Sequence, residues 1–293
     1  MSSGARAWVS GWCVAVVAGA VGCSSSREVR PPRLARVVRL PGRADKLVVG
    51  SRGRLYYTVS AYGPQARASE IRVAEANGSP GQSIELAAGV EVKALAADGR
   101  GTLYVGVSEG GKAQVWVFPE RGGEAEPKAK LEPELPDELH ALLVGRRPGT
   151  LVALCGESWV VTLKTDGSVA RQVELPGDGK PEGGGAGPQG NVYLRRGSGP
   201  VAKVTPEGVV DAGWAKSAAA AHDYVRSVAV DSRGLVYVAA SDGEIYLRAY
   251  SGEGELAFNV VAEGLTHAPD RLVVTPDDWV YAVQGEKVYV FKP

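Results

Sequence analysis

Three histidines are the first candidates for chemistry in this sequence. His140, His222 and His267 are the only histidines of the chain, and each comes shortly before a segment with the pattern of a β-strand. Three neutral imidazoles around one point can hold Zn²⁺ and leave a coordination position open for water or substrate. His222 and His267 lie farther upstream of their strands than His140 does, so the three are not in one register. We expect polar loop histidines and no cofactor, with an axial Zn or Ca site as the alternative.

A second set of side chains is cationic. Five basic or imidazole groups stand at, or one residue before, the start of a predicted strand: Lys46, Lys93, His140, Arg226 and Arg271. If these strand starts surround one axis, the groups form a broken ring that suits an anionic ligand or an acidic loop of a partner. Asp45, Glu91, Asp223 and Asp270 lie close to these positions in the sequence. In the alternative interpretation, these acids pair with the cations in a solvated rim.

Both sets depend on a repeat that runs along the chain. Six segments combine an apolar run, a turn and a second run rich in β-branched and aromatic residues, roughly every 40–50 residues. Glycine suits turns that need positive φ. The six turns centre on Gly53, Gly101, Gly149, Gly190, Gly234 and Asp278. Four antiparallel strands in a repeat of this length are typical of a β-propeller blade. The sequence therefore predicts an all-β, six-bladed β-propeller with four-stranded antiparallel blades that start near residues 44, 90, 138, 181, 224 and 268.

The two ends of the repeat array indicate how the ring closes. The sixth repeat has only three strands before Pro293, whereas residues 34–40 form a strand-like segment ahead of the first repeat. We predict that this segment supplies the outer strand of the sixth blade. The propeller would then occupy residues 34–293 and be monomeric.

Parts of the repeat resemble a known family. Residues 227–238, with the sequence SVAVDSRGLVYV, resemble an NHL repeat, and so do residues 181–194 and 269–281. NHL-type propellers include protein-binding modules, RNA-binding modules and some enzymes, so the resemblance implies a fold more than an activity. The propeller lyases and lactonases of this kind imply the enzyme alternative, in which a metal at the axis would be held by the three histidines.

The N-terminus has the pattern of an export signal. Residues 1–22 contain Arg6 and then an apolar run that is too short to span a bilayer, and Cys23 follows directly. The residues before Cys23, Ala20-Val21-Gly22, resemble the bacterial lipoprotein box, which implies lipidation of Cys23 and, with Ser24 after it, an outer-membrane location. Residues 23–33 would be a tether. The alternative is a secreted or periplasmic protein without lipid.

Composition and motifs narrow the function. The chain has 33 basic and 33 acidic residues, which gives no electrostatic footprint for nucleic acid. No nucleophile elbow, phosphate-binding loop or metalloprotease motif occurs, and Cys155 lies in an apolar run typical of a buried, inert thiol. We therefore predict a membrane-anchored envelope lipoprotein whose propeller binds a protein or polysaccharide partner without catalysis. The alternative is a metal-dependent lyase or lactonase.

Overall fold

The computed structural model of the chain describes residues 30–59, 70–119, 126–147, 149–177, 179–197, 199–241 and 243–293. The predicted signal segment at residues 1–22, Cys23 and most of the predicted tether lie outside the described residues. Within the described ranges, no helix has the length and apolar character needed to cross a membrane.

The described residues form six antiparallel sheets, each of which is one blade. Blade 1 contains β2 (Ala44–Val49), β3 (Leu55–Val59), β4 (Glu70–Ala74) and β5 (Ile84–Glu85). Blade 2 contains β6 (Val90–Ala97), β7 (Leu103–Glu109), β8 (Lys112–Phe118) and β9 (Ala129–Leu131). Blade 3 contains β10 (Leu139–Val144), β11 (Thr150–Cys155), β12 (Trp159–Lys164) and β13 (Val169–Glu174).

The remaining blades follow in chain order. Blade 4 contains β14 (Pro181–Ala186), β15 (Val192–Arg196) and β16 (Val201–Val204). Blade 5 contains β17 (Val225–Val230), β18 (Val236–Ala240), β19 (Leu247–Tyr250) and β20 (Leu256–Asn259). Blade 6 contains β21 (Arg271–Val274), β22 (Val280–Gln284), β23 (Lys287–Lys292) and β1 (Arg33–Arg39). Short 3₁₀ turns occur at Ser51–Gly53 and Trp214–Lys216.

The first strands of the blades form a closed ring. β2 contacts β6, β6 contacts β10, and the series continues through β14, β17 and β21 back to β2. Six hydrophobic clusters lie in the described part of the chain, and each joins the facing sides of two adjacent blades. This arrangement confirms the predicted six-bladed β-propeller, because every blade buries apolar side chains against both of its neighbours.

The N-terminal strand closes the ring as predicted. β1 pairs antiparallel with β23, with Arg33 opposite Lys292 and Arg39 opposite Lys287. Val38 on β1 and Leu40, directly after β1, are buried between blades 6 and 1. The Leu40 N–H donates to the Glu286 carbonyl at 2.8 Å. The first and last segments of the propeller thus share one sheet.

Blade 4 departs from the four-stranded pattern. After β16 the chain makes only a single bridge back to the blade, between Val204 and Val210. The Asp211 carboxylate then accepts the N–H groups of Gly213 and Trp214 at 2.9 and 3.1 Å, which turns the chain into the 3₁₀ turn at Trp214–Lys216. Trp214 packs edge-on against the Tyr193 ring at 4.9 Å. A buried indole therefore covers the flank where a fourth strand would lie.

The turn residues identified from the sequence share one backbone conformation. All six have positive φ, from 65° at Asp278 to 88° at Gly234. Asp278 adopts the left-handed region without being glycine, and its carboxylate accepts the Ser232 N–H and hydroxyl at 2.7 Å each. These bonds to the neighbouring blade compensate for the cost of the conformation.

Candidate ligand site at the axial channel

The ring of first strands encloses a channel along the propeller axis. The channel has a volume of about 630 Å³, which lies in the range of small-molecule and loop-binding sites. We call the end where the six first strands begin the entrance mouth, and the end where they finish the exit end. Between them the wall is formed mainly by apolar residues, among them Val48, Leu143 and Val273.

A repeated β-bulge builds the entrance mouth. In five blades the pairing between the first and second strands skips one residue close to the start of the first strand. The skipped residues are Asp45, Lys93, His140, Glu182 and Arg226. A bulge re-aims the side chain of the extra residue and increases local twist. One structural device is thus repeated near the start of the first strand in five blades.

The bulge residues do not form the predicted cationic ring. Their charges differ in sign around the axis: Asp45 and Glu182 are negative, and Lys93 and Arg226 are positive. His140 lies between Lys93 and Glu182 in chain order. The predicted ring combines two different positions of the first strands. Lys93, His140 and Arg226 are bulge residues, whereas Lys46 and Arg271 stand one position later.

The structure brings four of the five predicted side chains to the channel. Lys46, Lys93, His140 and Arg271 line the channel, together with Glu182 and Ser227. Arg226 is exposed and lies outside the lining residues.

Lys93 is held by two carboxylates. Its ammonium lies 3.0 Å from Glu91 and 2.6 Å from Glu138. Burial acts to lower the pKa of Lys93, but the hydrogen bonds to Glu138 and Glu91 outweigh it and raise the pKa above its usual value. The same contact lowers the pKa of Glu138. Lys93 therefore stays charged, with its charge compensated within the mouth.

A polar network joins blade 1 to blade 6 at the mouth. The Lys46 ammonium lies 2.5 Å from the Asp45 carboxylate, and the Arg271 guanidinium donates to the Asp45 carbonyl. Arg43 contacts the Asp270 carboxylate at 3.4 Å. Burial acts to raise the pKa of Asp45, but the hydrogen bond and charge of Lys46, with Arg271 and Arg43, lower it below its usual value. Arg271 and Arg43 therefore join blades 6 and 1 at the seam where the ring closes.

Blade 4 adds a further compensated pair. The Arg195 guanidinium, on β15, forms an ion pair with the bulge residue Glu182. Two of the acids predicted to pair with the rim cations, Asp45 and Glu91, do so. The pairs that Glu138 and Arg195 form are not predicted from the sequence. The mouth consequently contains both positively and negatively charged side chains.

The three histidines do not come together. His140 lines the entrance mouth, where burial and the charge of Lys180 lower its pKa below the usual value. His222 is buried in blade 5, where its Nε2 hydrogen-bonds the Tyr250 hydroxyl. His267 is exposed, with Nδ1 3.4 Å from the Thr266 hydroxyl. Among the described residues, no group of three or more His, Cys, Asp or Glu side chains could hold a metal ion.

Arg146 is a channel residue that the sequence did not single out. It follows β10 at the exit end, where its Nε donates to the Ala186 carbonyl at 3.1 Å and its Nη2 to the Val230 carbonyl at 2.8 Å. Both carbonyls belong to the last residues of first strands, β14 and β17. In the sequence, Arg146 and the adjacent Arg147 look alike, so no signal distinguished the one that lines the channel.

Comparison with known proteins gives the fold and no family. No protein-family model and no curated protein sequence matches the chain. Among solved structures, the chain is similar to a protein of unknown function from Bacteroides caccae, with a TM-score of 0.57 and 13% identity over 80% of this chain and 86% of that one. It is also similar to a streptogramin B lyase structure, with a TM-score of 0.57 and 12% identity over 84% of this chain and 78% of that one. At these identities the similarity shows the propeller fold alone.

Proposed function

We propose that this chain is a ligand-binding module of the bacterial cell envelope, and that the entrance mouth of the axial channel receives its ligand. The observation that carries the proposal is the bulge repeated in five blades, three of whose extra residues, Lys93, His140 and Glu182, line the channel. Bulges are over-represented beside functional sites because they re-aim side chains.

The charges of the mouth indicate the kind of ligand. Lys46, Lys93 and Glu182 each have an oppositely charged partner in or beside the mouth, so these three charges are compensated locally. The lowered pKa of His140 adds an imidazole that is neutral at neutral pH and can donate and accept hydrogen bonds. Such a rim suits neutral polar groups, namely the hydroxyls of an envelope polysaccharide or the backbone amides of a protein loop.

The location is proposed from the sequence. A lipid on Cys23 would hold the NHL-like propeller at the outer membrane through the tether at residues 23–33. Replacement of Cys23 by Ala is expected to abolish palmitate labelling and to move the protein out of the membrane fraction. Unchanged labelling and fractionation in Cys23→Ala would contradict the lipoprotein assignment and leave the secreted or periplasmic alternative.

A bulky side chain inside the mouth tests the binding site. Gly183 lines the channel, and a Cβ built on it meets no atom within 4 Å, so Gly183→Trp introduces a bulky side chain at an uncrowded backbone position of the mouth. Val37 lies on the outer strand β1 with 47% of its surface exposed, so Val37→Trp adds the same side chain away from the channel. The full chain and both variants are purified in detergent from the producing cells, and the co-purifying protein and polysaccharide are quantified.

The proposal predicts that Gly183→Trp loses the co-purifying ligand whereas Val37→Trp retains it, with both variants folded by circular dichroism. Equal retention by the two variants would contradict the mouth as the binding site. Stoichiometric Zn²⁺ or Ca²⁺ in the purified protein, lost on replacement of His140, would favour the enzyme alternative.

A further inference from the structure

Arg146 crosses the exit end of the channel and contacts two other blades. Its guanidinium bonds the final carbonyls of β14 and β17, so one side chain of blade 3 ties blades 4 and 5 together. The acceptors are neutral, and only Nε and Nη2 take part. Among the described residues, Nη1 has no hydrogen-bond partner and no carboxylate lies within 4 Å of the guanidinium.

Arg146 therefore lacks the carboxylate partners that Lys46 and Lys93 have at the entrance mouth. Arg146 is half-buried, and the other charged residues that line this end are Asp98 and Arg100. The Asp98 carboxylate is engaged by the N–H groups of Arg100 and Thr102, each at 2.9 Å, and by the Tyr104 hydroxyl at 3.4 Å. The charge on a half-buried guanidinium that lacks a carboxylate partner favours an anion beside it.

We propose that the exit end of the channel is a second binding site, specific for a small oxyanion such as a carboxylate or phosphate group, with Arg146 as its charged ligand-binding residue. Two guanidinium nitrogens fix the plane of the side chain against the blade ends, and the remaining Nη1 presents two N–H donors to the oxyanion. Thr165 and Arg100 line the same end of the channel. This site does not depend on what binds at the entrance mouth.

Phosphate titration of the full chain tests the site. Wild-type protein is titrated with inorganic phosphate at constant ionic strength, with sodium chloride as the reference ion, and binding is followed by arginine Nε–H NMR signals and by the thermal midpoint. The variants are Arg146→Gln, which removes the charge, and Arg146→Lys, which keeps it. The matched control is Arg147→Gln, which removes an adjacent, exposed charge.

The proposal predicts saturable phosphate binding that weakens about 10-fold to 100-fold in Arg146→Gln, the loss expected for one charge-assisted contact, with a smaller loss in Arg146→Lys. Arg147→Gln should bind phosphate as the wild type does. Equal phosphate affinity in Arg146→Gln and Arg147→Gln, or no saturable phosphate binding by the wild type, would overturn the proposal. If Arg146→Gln does not fold, the wild-type NMR titration decides: the signal absent from Arg146→Lys must be the one that phosphate shifts. Loss of co-purifying ligand in Gly183→Trp is a separate readout, so this proposal and the proposed function can fail independently.

Discussion

Three consecutive glycines of β14 should respond very differently to the same substitution. Gly183, Gly184 and Gly185 lie in the first strand of blade 4, and none has the positive φ that only glycine adopts easily. What differs is the space around each. A Cβ on Gly183 meets nothing within 4 Å, one on Gly184 overlaps the Tyr193 carbonyl oxygen of the paired strand, and one on Gly185 lies 2.8 Å from the backbone nitrogen of Val230 in blade 5.

The expected free energies of unfolding follow from these surroundings. Gly183→Ala should stabilise the protein by about 0.5–1 kcal/mol, because alanine loses less backbone entropy on folding. Gly185→Ala should destabilise it by roughly 1–3 kcal/mol, since β14 and β17 must separate to admit the methyl group. Gly184→Ala should cost about 3 kcal/mol or more, because the overlap lies within a blade and breaks backbone hydrogen bonds there.

Chemical denaturation and calorimetry of the three alanine variants measure this order. For a domain of this size, 1 kcal/mol shifts the thermal midpoint by roughly 2–4 °C, so the variants should be well resolved. Gly183→Ala serves as the internal control for the loss of glycine itself. The same change in all three variants would refute the close approach of β14 to its neighbours, and a loss of more than about 1 kcal/mol in Gly183→Ala would refute the open space at that position.

Two further predictions concern the closing seam of the ring and the buried thiol of Cys155. Leu40→Ala should lower the free energy of unfolding by about 2–5 kcal/mol because Leu40 is 1% exposed at the closing seam, whereas Val37→Ala on the exposed side of β1 should change it by less than about 0.5 kcal/mol; equal effects in denaturation would contradict the closure. Burial, with the charge of Asp137, raises the pKa of the Cys155 thiol to about 12, so peptide mass spectrometry should find Cys155 unalkylated by iodoacetamide in the native protein at pH 8 and alkylated after unfolding. The contribution of this thiol to the free energy of unfolding is fully present below its unfolded pKa of about 8.5. It is lost as pH rises toward 12, because only the unfolded chain ionises in that window. Rapid alkylation of the native protein would contradict the burial of Cys155.

The propeller could be predicted from the sequence because its signals are local. A turn with positive φ between two strands leaves a glycine at a fixed place in each repeat, and Gly53 and Gly234 show that conformation. The closing strand could be predicted from the count of strands, which left residues 34–40 without a partner and the sixth repeat without an outer strand. Blade 4 differed because the Asp211 side chain, rather than a strand pattern, directs the chain after β16.

The site could be predicted only in part. Lys93 and His140 were located because both stand directly before an apolar run. The bulge that selects them adds one residue without changing the apolar pattern, so Lys46 and Arg271 were grouped with them although they lie one position later. The role of Arg146 depends on carbonyls 40 and 84 residues away in the chain, and such contacts leave no pattern in a single sequence.

Hydrogen–deuterium exchange of the full chain, with its co-purified envelope ligand and after the ligand has been removed, tests the central claim most directly. If the entrance mouth receives the ligand, the bound protein should exchange more slowly at the start of the first strands, around Lys93, His140 and Ser227, with little change at the outer strands. Protection confined to the outer strands β1, β5, β9, β13 and β20, with the first strands unchanged, would contradict binding at the axial channel.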